Sequence, residues 1–156
     1  MSDAIELAGK LKTEGEKFIS FFSGLNDDQW RTGVYTEGEL WTIRNILSHF
    51  VTSERGLVRL FEQVRQGGAG VSDDFSIDFY NARQQEKTKE LTPAELLEHY
   101  KSVRANSIAW VSSLQDSELE IEGRHPFLQQ TSLREMIKML YIHNQIHYRD
   151  MKKVLK

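Results

Sequence analysis

Apolar residues recur at three- and four-residue steps in four segments of the chain, which is the spacing of amphipathic helices. The first segment, about residues 3 to 24, aligns Ala4, Ala8, Leu11, Phe18, Phe22 and Leu25 along one stripe before the irregular run "NDDQWRTGVYTEGELW" ends it. The second runs from about Thr42 to Gln66, with Thr42 placed to cap it and Ile43, Ile46, Leu47, Phe50, Leu57, Phe61 and Val64 facing inward. The turn-forming "GGAGVSDD" stops it. A short stretch with weaker helical character, "IDFYNARQQEK", comes next, and then "TPAE" at 92 to 95 supplies a strong start signal. Thr92 is placed to cap, Pro93 suits the first helical position, and Glu95 can reach back to the cap amide. This third helix is expected to bury Leu96, Tyr100, Val103, Ser107, Val111 and Leu114. A second capping pattern, "SLRE" at 132 to 135, opens a fourth helix whose inward stripe reads Leu133, Met136, Leu140, His143, His147, Met151 and Val154. Its basic end, "MKKVLK", suits the negative end of a helix dipole. With no internal repeat, no low-complexity tract and no convincing alternating strand, the expected fold class is all-α: a four-helix bundle forming a single domain over residues 1–156.

Length and composition narrow the function classes. A chain of 156 residues can bury roughly two-thirds of the surface that its unfolded form exposes, enough for one ordinary core. No window approaches the ~18 consecutive apolar residues of a membrane span, so no membrane association is expected. The opening "MSDAIELAGKLKTEGEKF" lacks the apolar centre and cleavage site of a secretory signal, which makes the cytoplasm the default compartment. The absence of cysteine rules out disulfides and thiolate zinc sites; any metal must be held by nitrogen and oxygen, and any thiol chemistry needs a thiol from outside. A net charge of -3 gives no general pull toward nucleic acid, though it leaves room for a local basic patch.

Candidate chemistry enters through "YIHNQIHYRD". At 100° per residue His143 and His147 fall within about 40° of each other among apolar positions, so both point into the bundle. A buried imidazole needs a partner for each nitrogen, because an unpaired buried polar group costs roughly 1–3 kcal/mol. Two stacked imidazoles sharing one ion meet that need together; core histidines hydrogen-bonded within the bundle are the alternative. The spacing matches that of the zinc-protease motif HExxH, but Asn144 stands where the catalytic glutamate would be, and the protease reading fails. A third imidazole, His49 in "WTIRNILSHF", lies at the edge of the second helix's apolar arc, where a side chain aims along a bundle seam. Three imidazoles on one divalent ion, with positions left open, would form a catalytic type of site rather than a closed structural one.

"LWTIRNILSHFVTSERG", followed about ninety residues later by "TSLREMIKMLYIHNQIHYRDMKK", resembles the DinB/YfiT-like superfamily of metal-dependent enzymes, and the resemblance covers essentially the whole chain, including "LTPAELLEHYKSVRANSIAWVSSLQDSEL". It implies a four-helix bundle of up-down-down-up topology, often a homodimer, with a divalent metal held by three histidines, which carry over to His49, His143 and His147. Members with assigned activity include thiol S-transferases using bacillithiol or mycothiol, a mycothiol-dependent maleylpyruvate isomerase, and a hydrolase that protects against a genotoxin. The family's founding association with DNA damage, a stress response, describes induction and does not imply DNA binding.

Other polar residues have competing readings. Glu54 lies within the apolar arc of the second helix and could orient an imidazole or serve as a base, although a head that reaches solvent past the helix edge is favoured. Asp150, three positions after His147, could be a fourth ligand or an acceptor behind the ligands; a solvated acid near Lys153 is the blander alternative. His125 and Arg124, in the loop before the fourth helix, could meet an anionic substrate if that loop covers the bundle mouth. His99 should face water, and Trp41, Tyr141 and Tyr148 should pack. "GGAG" lacks both the strand and the Lys-Ser/Thr ending of a phosphate loop.

The expected function is therefore that of a metal-binding protein, a metal-dependent hydrolase or thiol S-transferase, which activates water or a small thiol against a small-molecule electrophile. Zinc and nickel lead as the metal, with manganese and iron also compatible with imidazole. The rivals are a non-catalytic metal or small-molecule sequestration protein in the same fold, and a helical interaction domain without metal.

Overall fold

The computed structural model describes residues 2–156. Helix α1 (Asp3–Ser23) starts at Ser2, whose hydroxyl accepts from the Ile5 amide, and the Asp116 carboxylate accepts from the Asp3 and Ala4 amides. A single turn, α2 (Asp27–Trp30), and a hairpin of β1 (Gly33–Tyr35) and β2 (Trp41–Thr42) lead into α3 (Ile43–Arg65). Next come α4 (Ile77–Thr88), α5 (Pro93–Ser112), a 3-10 turn over Asp116–Glu120, a second antiparallel hairpin of β3 (Glu122–His125) and β4 (Gln129–Ser132), and finally α6 (Leu133–Val154). The caps fall where the sequence places them: Thr42, Thr92 and Ser132 each accept from the amide three residues on, with a full capping box at Thr42 and at Thr92.

The two hairpins correct the expectation of a chain without strands. Each strand is only two to four residues long, and the one that alternates in burial, β3, does so with Gly123 and His125 inward and no apolar side chain to betray it; the register pairs Gly33 with Thr42 and His125 with Gln129. Gly70, at φ 95°, bridges to Arg124: the Val71 amide donates to the Arg124 carbonyl and the Arg124 amide to the Ala69 carbonyl, both at 2.9 Å. The "GGAG" turn thus fastens the end of α3 to the second hairpin. Helix α4 buries only Thr88 and docks on α3 through polar contacts, among them Gln85 to Asn45, Thr88 to Ser48 and the Tyr80 hydroxyl to the Thr52 carbonyl, which is why its periodicity is faint. Val154, expected inward, is exposed at the helix end.

Helices α1, α5, α3 and α6 close a ring in which each packs on the next, forming the four-helix bundle. The apolar stripes meet in two separate clusters. One holds Leu7, Leu11, Phe61, Val64, Val111, Leu133 and Leu140; the other holds Phe18, Phe22, Ile46, Phe50, Leu96, Tyr100 and Met151. Along each of the four helices a buried polar residue separates the two: Glu14 on α1, Glu54 on α3, Arg104 and Ser107 on α5, and Asn144 on α6. Arg104 donates from Nε and Nη2 to the two oxygens of Glu54 at 2.9 and 2.8 Å and from Nη1 to the Leu11 carbonyl, while Ser107 donates to Glu54 Oε2 at 2.7 Å. Gly15 makes room for this arginine, since a Cβ there would come within 2.8 Å of the Arg104 Cγ. His143 adjoins Asn144 in this layer, and His49 on α3 and His147 on α6 lie next to it on the side of the second cluster.

Candidate metal centre

Helical spacing puts His143 and His147 one turn apart on α6, and the contact of α3 with α6 brings His49 to them. His143 Nε2 lies 3.0 Å from His49 Nε2 and 3.0 Å from His147 Nε2, and the candidate ligand atoms of all three residues lie within 4.8 Å of one another. The rings stand nearly perpendicular, with interplanar angles of 79° to 88°. Trp41 of β2 closes one side, its ring centroid 5.2 Å from that of His49, and Phe50 closes another, 5.9 Å from His147. Trp41 packs, as expected, against His49 and the second apolar cluster.

Tyr35, at the end of β1, reaches His147 from the hairpin. Its hydroxyl oxygen is 2.7 Å from His147 Nδ1 and donates to Asp150 Oδ2 at 2.6 Å. Burial raises the Tyr35 pKa, with the adjacent carboxylate adding to the effect, so the phenol keeps its proton. Burial lowers the pKa of all three histidines: His49 well below the ordinary imidazole value, with the neighbouring His143 and His147 adding to the shift, and His147 to about 4. The three rings are therefore neutral near pH 7.

Neutral imidazoles so arranged suit a cation better than one another. Each Nε2 carries either one proton or one lone pair, and His143 Nε2 faces two neighbours at once. Two nitrogens each ~2.1 Å from one ion at a tetrahedral angle lie roughly 3.4 Å apart, close to the spacing found. The donor set, nitrogen only and borderline-soft, fits a divalent transition ion.

Other candidates fall elsewhere. Glu54 neither reaches solvent nor joins the nitrogens: it is 2% exposed and held by Arg104 and Ser107, a pairing hidden from the sequence because Arg104 comes from another helix. Asp150 is not a free acid beside Lys153: its Oδ2 accepts from the Tyr35 hydroxyl, and it lies outside the cluster of histidine nitrogens. His125 is not an exposed loop residue. It ends β3, is 3% exposed, and its Nδ1 accepts from the Phe127 and Leu128 amides at 3.0 Å each. Burial lowers its pKa to about 4, and a protonated His143 would add to the effect. Arg124 pairs with Asp73 and donates to Gln129 instead of facing a ligand. His99 is exposed, as expected. Among the described residues, buried Tyr100 Oη, Asn144 Nδ2 and His125 Nε2 have no hydrogen-bond partner. Tyr35 is the one polar contact of the centre that sequence reasoning missed, because its segment has no helical period to aim the side chain.

The fold has solved counterparts. YfiT from Bacillus subtilis, described as a probable metal-dependent hydrolase with an unusual four-helix bundle topology, superimposes with a TM-score of 0.70 at 16% identity, covering 97% of this chain and 83% of that one. A histidine-to-alanine mutant of the mycothiol-dependent maleylpyruvate isomerase gives 0.73 at 15% identity, over 96% of this chain and 59% of the isomerase, so this chain spans about three-fifths of that protein. At such identities the likeness is one of fold. None of the curated proteins matches the sequence. The model of the DinB superfamily matches residues 10–151, nearly the whole bundle with all three histidines inside it, and on that match the chain belongs to the DinB superfamily.

Proposed function

We propose that this protein binds a divalent transition metal through His49, His143 and His147 and uses it to activate water or a small thiol for attack on a small electrophile. The observation that carries the proposal is the clustering of three imidazoles from two helices, with His143 Nε2 3.0 Å from both His49 Nε2 and His147 Nε2 and the ligand atoms of all three residues within 4.8 Å of one another. Such an ion supplies a lowered pKa for a bound water, or charge stabilisation for a bound thiolate. The chain's own residues would hold the ligands, His49, His143 and His147, and the Trp41 and Phe50 rings beside His49 and His147 would limit access of water to them. A thiol would have to come from outside, since the chain has no cysteine. The mycothiol dependence of the isomerase and the hydrolase description of YfiT support these two options for this chain.

Metal analysis of protein purified without a histidine tag or chelating resin tests the site; one equivalent of zinc, nickel, manganese or iron is expected, and none in His143→Ala. Turnover assays of the loaded protein with thiols and electrophiles then test the chemistry. One observation favours a second reading, sequestration without turnover: both nearby carboxylates are engaged, Glu54 by Arg104 and Asp150 by Tyr35, so the centre has no free general base. Stoichiometric metal without turnover would select that reading.

A further inference from the structure

Tyr35, Asp150 and His147 form a chain of two short hydrogen bonds whose proton count has only one consistent solution. The phenol has a single proton, and at 2.6 Å it lies on the bond to Asp150 Oδ2. A carboxylate offers acceptors only, so the phenol cannot also donate to its other neighbour, His147 Nδ1 at 2.7 Å; the Tyr35 hydroxyl oxygen must accept from it. Nδ1 therefore carries the imidazole proton, and the lone pair is on Nε2, the atom facing His143. We infer that Tyr35 and Asp150 are positioning residues that hold His147 in its Nδ1–H tautomer and aim its Nε2 lone pair at the metal centre.

The local build supports this role. Asp150 follows His147 by one turn of α6, so ring and acceptor ride on the same rigid helix. Tyr35 enters from a different element, where its pairing with Trp41 across the hairpin fixes where the phenol can reach. The two rings also meet edge to face, with centroids 5.7 Å apart and planes at 69°, which limits rotation of the imidazole. Arg149 Nε stands 3.9 Å from the other carboxylate oxygen, Oδ1, leaving Oδ2 to the phenol. A hairpin outside the four-helix frame thus orients a ligand inside it, as partners behind metal-bound histidines commonly do.

The inference rests on the proposed metal centre, yet it has a readout without metal. Long-range nitrogen–proton NMR of the metal-free protein should show His147 as the Nδ1–H tautomer in the wild type and as a mixture, or as Nε2–H, in Tyr35→Phe, which keeps the ring and removes the acceptor. Zinc affinity, measured by competition with a chromophoric chelator, should fall about 10- to 100-fold in that variant. If Tyr35→Phe fails to fold, Asp150→Ala serves instead, with the same direction expected for both readouts. A His147 that stays Nδ1–H in the variant, or a zinc affinity within twofold of the wild type, overturns the inference. A wild-type protein that binds no zinc, nickel, manganese or iron sinks the metal reading instead, and the tautomer measurement alone then decides whether Tyr35 sets the ring.

Discussion

The Glu54 carboxylate and the Arg104 guanidinium meet side by side in the middle of the bundle, two hydrogen bonds of 2.8 and 2.9 Å joining α3 to α5 with both side chains almost wholly out of water. Removing one partner leaves a buried charge unmet. Glu54→Ala is expected to lower stability by about 3–5 kcal/mol, and the double variant Glu54→Leu/Arg104→Met to recover most of that loss. Urea denaturation of the three proteins checks it; equal losses in the single and double variants would contradict the pairing.

A metal that binds only the folded chain stabilises it by mass action. At a free zinc concentration of 100 times Kd the gain is about 2.7 kcal/mol, or roughly 5–11 °C in Tm for a domain of this size. A thermal scan with and without zinc should show that shift in the wild type, and His49→Ala should lose most of it.

His125 makes the metal-free protein acid-sensitive. Its folded pKa of about 4 lies below the ordinary imidazole value near 6.5, so the unfolded chain binds the proton more readily. Stability from this group is complete above about pH 6.5 and is lost as the pH falls toward about 4, at most about 3 kcal/mol in all. His125→Asn places an amide oxygen where Nδ1 accepts from Phe127 and Leu128, and it cannot titrate. Its denaturation midpoint should vary less between pH 6.5 and pH 4 than that of the wild type; identical pH profiles would contradict the assignment.

Gly70 should resist substitution. At φ 95° a side chain is strained, and a Cβ would run into the backbone of Arg124. Gly70→Ala is expected to cost about 1–3 kcal/mol. Hydrogen exchange locates the damage: the Val71 and Arg124 amides, which hold this bridge, should lose protection before those of α3.

How much could be read beforehand depended on periodicity. Thr92, Pro93 and Glu95 announce α5 by local chemistry alone, and the structure repeats that cap bond for bond. His49, His143 and His147 were legible because helical spacing fixes the direction of a side chain, so that buried imidazoles on two stripes can be told to face a common interior. Tyr35 sits on a three-residue strand with no alternation, and His125 on the four-residue EGRH, whose inward positions are a glycine and the histidine itself, so no apolar period reveals either direction. Arg104 was missed for a different reason: a charged residue on a helix reads as solvent-facing until its partner, 50 residues away in Glu54, is known. Likewise α4, held by polar contacts, left a weaker trace than the stripe-bearing helices.

His49 and His143 are 94 residues apart in sequence and touch only through the packing of α3 on α6. A chain whose last helix has not docked on α3 retains at most the neighbouring pair on α6. Bound metal would then count finished molecules: its stoichiometry in a preparation becomes an internal gauge of the fraction that has matured, readable without any knowledge of the substrate.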